Sequence, residues 1–390
     1  MKKNIIALVL VLTLVCVSAL AEPVTYTGSA KGMHSTITVD VTVDGDTITD
    51  VTVVSQEDTP QMGKAVTETI PAAIMEAQSY NVDTVAGATI TSYAMISAVK
   101  DALKQADKLD TFNKPKAEKT VRTDIPTEDY DIVIVGGGGS GLSAAIAAKD
   151  NGVEKVLVLE KLAFVGGSTA LSGGGMDMHG TIYNEYMGVD FSTDEFVELF
   201  KEFADSAENN VNGYTINEEL IRKVSDTIPD IFCQLVDDGI PYGDNFWEYG
   251  LVHHDLEGEG RGVIAFGVPV TNAQYSGPAY SIWLGQYTAD KGAEIRVNSP
   301  VTGLVVTDGA VTGVVVDGPE GTYTVNAKKV ILACGGIENN QELVAEYCPE
   351  IAGAIPLCTA GNTGDFIKLT EGLDTVITGA TAAYPWPAPA

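Results

Sequence analysis

The 390-residue sequence is poor in the residues that hold metals and haem. Histidine occurs four times, tryptophan three times and cysteine five times. Cys16, Cys233, Cys334, Cys348 and Cys358 lack the paired spacing of a zinc or iron–sulfur cradle. Cys-x-x-Cys-His is absent as well, which excludes covalently bound c-type haem. Positive charge is scarce: 23 Lys and Arg face 53 Asp and Glu, a formal charge of −30. Such a surface repels nucleic acid and anionic lipid, so no nucleic-acid partner is expected. No repeat of 20–50 residues is present. Long apolar runs are missing too, since Ile5 to Val17 falls short of the roughly 20 residues a spanning helix needs.

That short run has another use. Met1-Lys2-Lys3 precedes it, and Ala19-Leu20-Ala21 follows with small residues at the positions a signal peptidase reads. Residues 1–21 are therefore expected to be a signal peptide, and the protein to be secreted, in the periplasm, outside the cell or on its surface. Two domains are expected from the length. In the first, residues 22–108, Ile37, Val39, Val41 and Val43 alternate with polar residues up to an Asp44-Gly45 turn, and the alternation resumes at Ile48. That pattern predicts a β-hairpin. Helices are expected over 65–77 and 93–105. Residues 109–129, with Pro115 and Pro126 and almost no apolar periodicity, read as a linker.

From Tyr130 the texture is α/β. Ile132–Val135 reads as a buried strand, Leu142–Asp150 as a helix and Lys155–Leu159 as a second strand. Ser192 and Glu195 are spaced as a capping box before an apolar helical face. Leu220 to Leu235 keep helical spacing, with a kink expected at Pro229. Strands are expected at 295–297, 301–306, 311–316 and 322–325, and a separate one at 329–333. The fold class is thus α/β, a Rossmann-like domain at 130–390 preceded by a small α+β domain.

Between the first two α/β strands lies Gly136-Gly137-Gly138-Gly139-Ser140-Gly141. The bare pattern is weak; after an apolar strand, opening a helix, and with Glu160 closing the next strand, it is specific. Gly136 permits the tight turn and Gly138 lets backbone approach a pyrophosphate. Gly141 allows the helix to pack on the strand, and the helix N-terminus faces the anion. Glu160 is placed to accept hydrogen bonds from the adenosine ribose.

Further on come Gly166-Gly167-Ser168-Thr169, Ser172-Gly173-Gly174-Gly175, Ala327 to Gly336 and Gly361-Asn362-Thr363-Gly364-Asp365. In this order they resemble the flavoprotein subunit family of fumarate reductases and succinate dehydrogenases. The match is closest to its soluble exported branch, which includes fumarate and urocanate reductases. The resemblance implies FAD, with contacts at Ser140, Glu160, Lys161, Ser168, Thr169, Gly173, Gly174, Val301 and Asp365. Cys334 replaces a usual Thr, Ser168 a frequent Asn, and Phe366 a Gly.

Asp83-Thr84-Val85-Ala86-Gly87-Ala88-Thr89 resembles the flavinylation motif of FMN-binding domains, with Ala86 where Ser or Thr is commoner. A helix cap alone would also explain it. The resemblance implies covalent FMN on Thr89, joined by a flavin transferase, with Thr91 as the alternative hydroxyl. The phosphodiester would lie against a helix N-terminus, which favours negative charge. A tethered FMN cannot be lost to dilute medium, and it can take electrons from an upstream, membrane-associated donor.

The implied reaction is reduction of a C=C bond conjugated to a carboxylate, as in anaerobic respiration. In the family, the proton-donating Arg and the carboxylate clamps follow the Gly-Asp-Gly position. They have no counterpart before Ala390, so the sequence is expected to lack the cap and the last FAD segment. Arg261, in a Gly-rich loop, is the one weak catalytic candidate. His253-His254-Asp255 reads as a solvated loop. Two alternatives remain: an FAD dehydrogenase of the ketosteroid type, and a non-catalytic carrier shuttling electrons between two flavins.

Overall fold

The computed structural model describes residues 22–116, 122, 124–172, 177–178, 192–205, 216–240, 251–255, 262–266 and 276–377. The expected signal peptide, Gly173, Gly174 and Arg261 lie outside the described residues.

The first domain is a three-stranded antiparallel sheet under two helices. β1 (Val24–Lys31), β2 (Thr36–Asp44) and β3 (Thr47–Ser55) pair in sequence order. The β2–β3 hairpin turns through Gly45 at φ +59°, where glycine carries no steric penalty. Ile37, Val39, Val41 and Val43 all point inward, as their alternation requires. Each such burial is worth roughly 1.5–3 kcal/mol. α1 (Pro60–Ala77) and α2 (Thr89–Gln105) cover that face and begin earlier than periodicity indicates, at residues whose side chains carry little apolar signal. β1 has no sequence signature because most of it is exposed. Its place is fixed at Gly28, where a methyl group would lie 2.1 Å from Ala98 O on α2. The core runs on to Phe112, fully buried, whose carbonyl accepts from Tyr80 N and Ser79 Oγ.

The second domain has a six-stranded sheet. β4 (Glu128–Val135), β5 (Val156–Leu159) and β9 (Glu294–Arg296) lie in the order β9-β5-β4, all parallel. This is the 3-2-1 half of a Rossmann sheet, with α3 (Gly139–Asp150) crossing between its first two strands. β6 (Asp177–Met178), β7 (Leu251–Asp255) and β8 (Gly262–Phe266) form a small antiparallel sheet. The helices here are α4 (Thr193–Asp205), α5 (Glu218–Asp237), α6 (Ser276–Asp290), α7 (Gln341–Tyr347) and α8 (Asp365–Leu369).

β10 (Val301–Thr307), β11 (Ala310–Gly318) and β12 (Gly321–Leu332) complete the large sheet. The two strands expected at 322–325 and 329–333 are one. β12 pairs with β11 along its first half and with β4 along most of its length, so it is held on both edges through the middle. His253–Asp255 is not a loop either. It belongs to β7, paired with Gly262–Ile264 of β8. Pro229 lies inside α5, which continues through it as one helix. Ser192 and Glu195 do form the reciprocal box that opens α4: Glu195 N donates to Ser192 Oγ, and Ser192 N to Glu195 Oε2. No helix among the described residues is long and apolar enough to cross a membrane.

Candidate functional site

β4, β5 and β12 end together at Val135, Leu159 and Leu332, and a cavity of about 780 Å³ opens beyond their carboxyl ends. Ligands of open α/β sheets bind in this crevice. Gly136, at φ +111°, turns the chain there. A methyl group on it would lie 2.3 Å from Ala333 O, and one on Gly141 would lie 1.9 Å from Gly136 O. Neither position tolerates a side chain. Gly138 differs, since a methyl group there would have nothing nearer than 3.7 Å. Its missing side chain leaves the backbone open to the cavity, as a close-approaching phosphate requires. Just beyond it, the first amides of α3 have no preceding helical carbonyl to meet.

Glu160 directly follows β5 and is 6% exposed. Its Oε2 accepts from Gly137 N at 2.7 Å and its Oε1 from Leu162 N at 2.7 Å. Burial outweighs these two bonds and pushes its pKa up. A carboxylate has about four acceptor positions, so the two bonds leave room for ribose hydroxyls. Lys161 turns the other way, its Nζ donating to Asp365 Oδ2 and Thr363 Oγ1, each at 2.7 Å. This pair ties β5 to α8 across the cavity.

Ser168 Oγ accepts from Thr359 N and Asn362 Nδ2, both at 3.2 Å. Asn362, 7% exposed, also donates to Glu338 Oε2 at 3.0 Å. Sequence reasoning did not single out Asn362, although it stands inside the Gly361–Asp365 motif. Its role depends on Gly335, at φ +78°, where a methyl group would meet Asn362 Oδ1 at 2.4 Å. The Cys334 thiol lines the cavity, and burial pushes its pKa up to about 11, so it stays protonated at neutral pH.

The cavity therefore gathers Gly136, Gly138, Ser140, Glu160, Lys161, Ser168, Thr169, Val301 and Asp365. Gly141 lies beneath it as packing. A glycine cradle with an open Cβ position, a helix N-terminus and a buried acceptor with unused positions fit a flavin dinucleotide.

Thr89 lies elsewhere, at the start of α2, with an exposed side chain. Thr91, by contrast, is 3% exposed and donates to Asp58 Oδ2 at 2.7 Å. Asp58 also accepts from the backbone amides of Met33, His34 and Ser35. These bonds hold its carboxyl below the usual range, against the opposing effect of burial. The motif turn itself is pinned by Ser92, whose Oγ donates to Ala88 O and accepts from Val85 N. Gly87 sits there at φ +82°. Among the described residues no group of three His, Cys, Asp or Glu could hold a metal.

Fold and site together define a flavin-dinucleotide protein with a small domain ahead of it. Residues 131–389 match the FAD binding domain family, and the chain belongs to it. Residues 32–104 match the FMN-binding domain. The chain is 30% identical to urocanate reductase of Eggerthella lenta, over 89% of this chain and 55% of that one. It is 28% identical to NADH:fumarate oxidoreductase of Klebsiella pneumoniae, over 82% of this chain and 32% of that one. Among solved structures, the open conformation of a flavocytochrome c3 fumarate reductase superposes with a TM-score of 0.55 at 27% identity. That match covers 67% of this chain and 45% of the other. The chain thus spans about half, or less, of the length of these relatives.

Proposed function

We propose that the protein is an exported reductase that passes electrons from FMN on Thr89, through FAD, to the C=C bond of a small unsaturated carboxylate of the fumarate or urocanate type. FAD in such a site supplies hydride transfer to the alkene. The chain's own residues bind and orient it. Gly136–Gly141 and the start of α3 receive the pyrophosphate, Glu160 the ribose, and Ser168, Thr169 and Asp365 the remainder.

The carrying observation is the pairing of two flavin modules in one chain, with the Thr89 hydroxyl exposed while Thr91 is buried. A transferase can reach only the first. The ketosteroid alternative accounts for the FAD cavity but gives the N-terminal module no task. Export is supported by residues 1–21, and the upstream donor by the tethered carrier itself.

The test is anaerobic oxidation of reduced viologen by the flavin-loaded protein, produced from its complete reading frame, with fumarate, urocanate and acrylate supplied separately. Turnover with at least one acid is expected. Flavin-loaded protein that oxidises viologen with none of them would instead be a carrier.

A further inference from the structure

One contact between the two domains runs along a short loop. Glu160 and Lys161 face the cavity, and the next residues turn into the first domain. Leu162 and Phe164, 7% and 8% exposed, belong to the same apolar cluster as Val85, Ala88 and Met95. Ala163 N donates to Ala86 O at 3.5 Å. A methyl group on Gly87 would meet Phe164 Cζ at 3.0 Å and Leu162 Cδ1 at 3.1 Å. The same Leu162 Cδ1 would lie 3.5 Å from a methyl group on Gly361. Both Leu162 and Gly361 line the cavity. One leucine side chain is therefore all that stands between the turn preceding Thr89 and the cavity wall.

A second contact fixes the orientation. Gln61 on α1, 7% exposed, donates from Nε2 to Pro278 O and to Ser281 Oγ on α6, each at 2.7 Å. Its Oε1 is buried without a donor. An unmet buried acceptor costs stability, so this amide contributes direction more than strength.

We infer that this docked pose is the one in which electrons pass between the two flavins, and that Phe164 and Gln61 are positioning residues for that step. The inference rests on FMN being carried at Thr89. Reduced FMN gives up two electrons and returns to its oxidised form. FAD takes both up, and the protons are exchanged with water. Transfer through protein weakens steeply with distance, so its rate depends on the domains holding this register. Phe164 in the first domain's core and Gln61 against α6 hold that register.

The experiment follows FAD reduction by reduced viologen, in stopped flow without oxygen, on protein loaded with both flavins. Thr89→Val, which carries no FMN, gives the rate of direct reduction. Phe164→Ala and Gln61→Glu are expected to keep both flavins yet lose roughly tenfold or more of the wild-type rate, moving toward the Thr89→Val value. Tenfold corresponds to about 1.4 kcal/mol of docking free energy. A role in folding alone would lower flavin content and leave the rate per loaded molecule unchanged. If Phe164→Ala does not fold, Gln61→Glu decides. Wild-type rates in the folded variants with both flavins bound overturn the inference, as does a Thr89→Val rate equal to wild type. Wild-type protein without covalent FMN would count against the functional reading instead.

Discussion

Among the described residues each domain buries one carboxylate, and the two respond to burial in opposite ways. Asp58 in the first domain is 5% exposed and Glu160 in the second is 6% exposed, so both have lost nearly all contact with solvent. Asp58 is met by three backbone amides and the Thr91 hydroxyl. Its charge is stabilised and its pKa lowered. Glu160 is met by two amides, burial prevails, and its pKa is raised. Glu160 is the more deeply buried, so the cost of desolvating its charge exceeds what its donors return, whereas the donors to Asp58 outweigh a smaller cost. Asp58 is a finished structural joint between the 32–35 turn and α2, whereas Glu160 still has acceptor capacity facing a cavity. An acidic group short of donors at a site's edge is where a ligand can supply the rest.

Removing the finished joint should have the largest effect. Asp58→Ala strands three amides and a hydroxyl, at a cost of about 3 kcal/mol to the first domain. Hydrogen exchange of the α2 amides should accelerate roughly a hundredfold. Unchanged protection would mean that the joint is not holding the helix. Acid should act in the same direction. The folded pKa of Asp58 lies below 3.8, so its stabilisation is present above that value and is lost as pH falls through the folded pKa.

Glu160 carries the opposite sign. Its pKa without ligand lies above 4.5, so its contribution to stability is present below 4.5 and is lost as pH rises through the folded value. Ribose hydroxyls donating to the carboxylate would lower that pKa, and FAD binding would release a proton. FAD affinity should therefore increase with pH above 4.5, by at most about tenfold per unit, and level off beyond the ligand-free pKa. Glu160→Gln should flatten the profile. Titration of FAD fluorescence between pH 5 and 8 checks this; a slope that survives in Glu160→Gln would remove Glu160 from the site.

The same contrast explains what could be read from the sequence. The cavity was legible because its key residues are glycines, whose spacing reports backbone geometry directly, and because Glu160 directly follows a strand of four buried residues. Asp58 was not legible. It sits in Gln56-Glu57-Asp58-Thr59-Pro60, which reads as a solvated turn before a helix, and its partners lie 23 to 33 residues away. β1 was missed because an edge strand with one buried residue in eight shows no alternation. β12 was divided in two because its partners change along its length while its backbone does not. His253–Asp255 looked polar enough for a loop, yet pairing with β8 gives its backbone a ladder regardless of side-chain polarity. Phe164 stood beside the flavin motifs, but nothing in its own sequence indicates that it is buried in the other domain.

The smallest expected effect separates two threonines two residues apart. Thr91→Val keeps the volume and removes one donor to Asp58, which retains its amide donors, so a loss of about 1 kcal/mol is expected in α2. Thr89→Val touches an exposed first-turn position and should change stability by less than about 0.5 kcal/mol. Flavin attachment should sort the other way. Intact mass after co-expression with a flavin transferase should show the FMN adduct on wild type and on Thr91→Val, and none on Thr89→Val. The reverse pattern would assign the linkage to Thr91. That assignment would require α2 to fray its first turn and Asp58 to give up a donor, and the stability ranking of the two variants would then lose its basis as well.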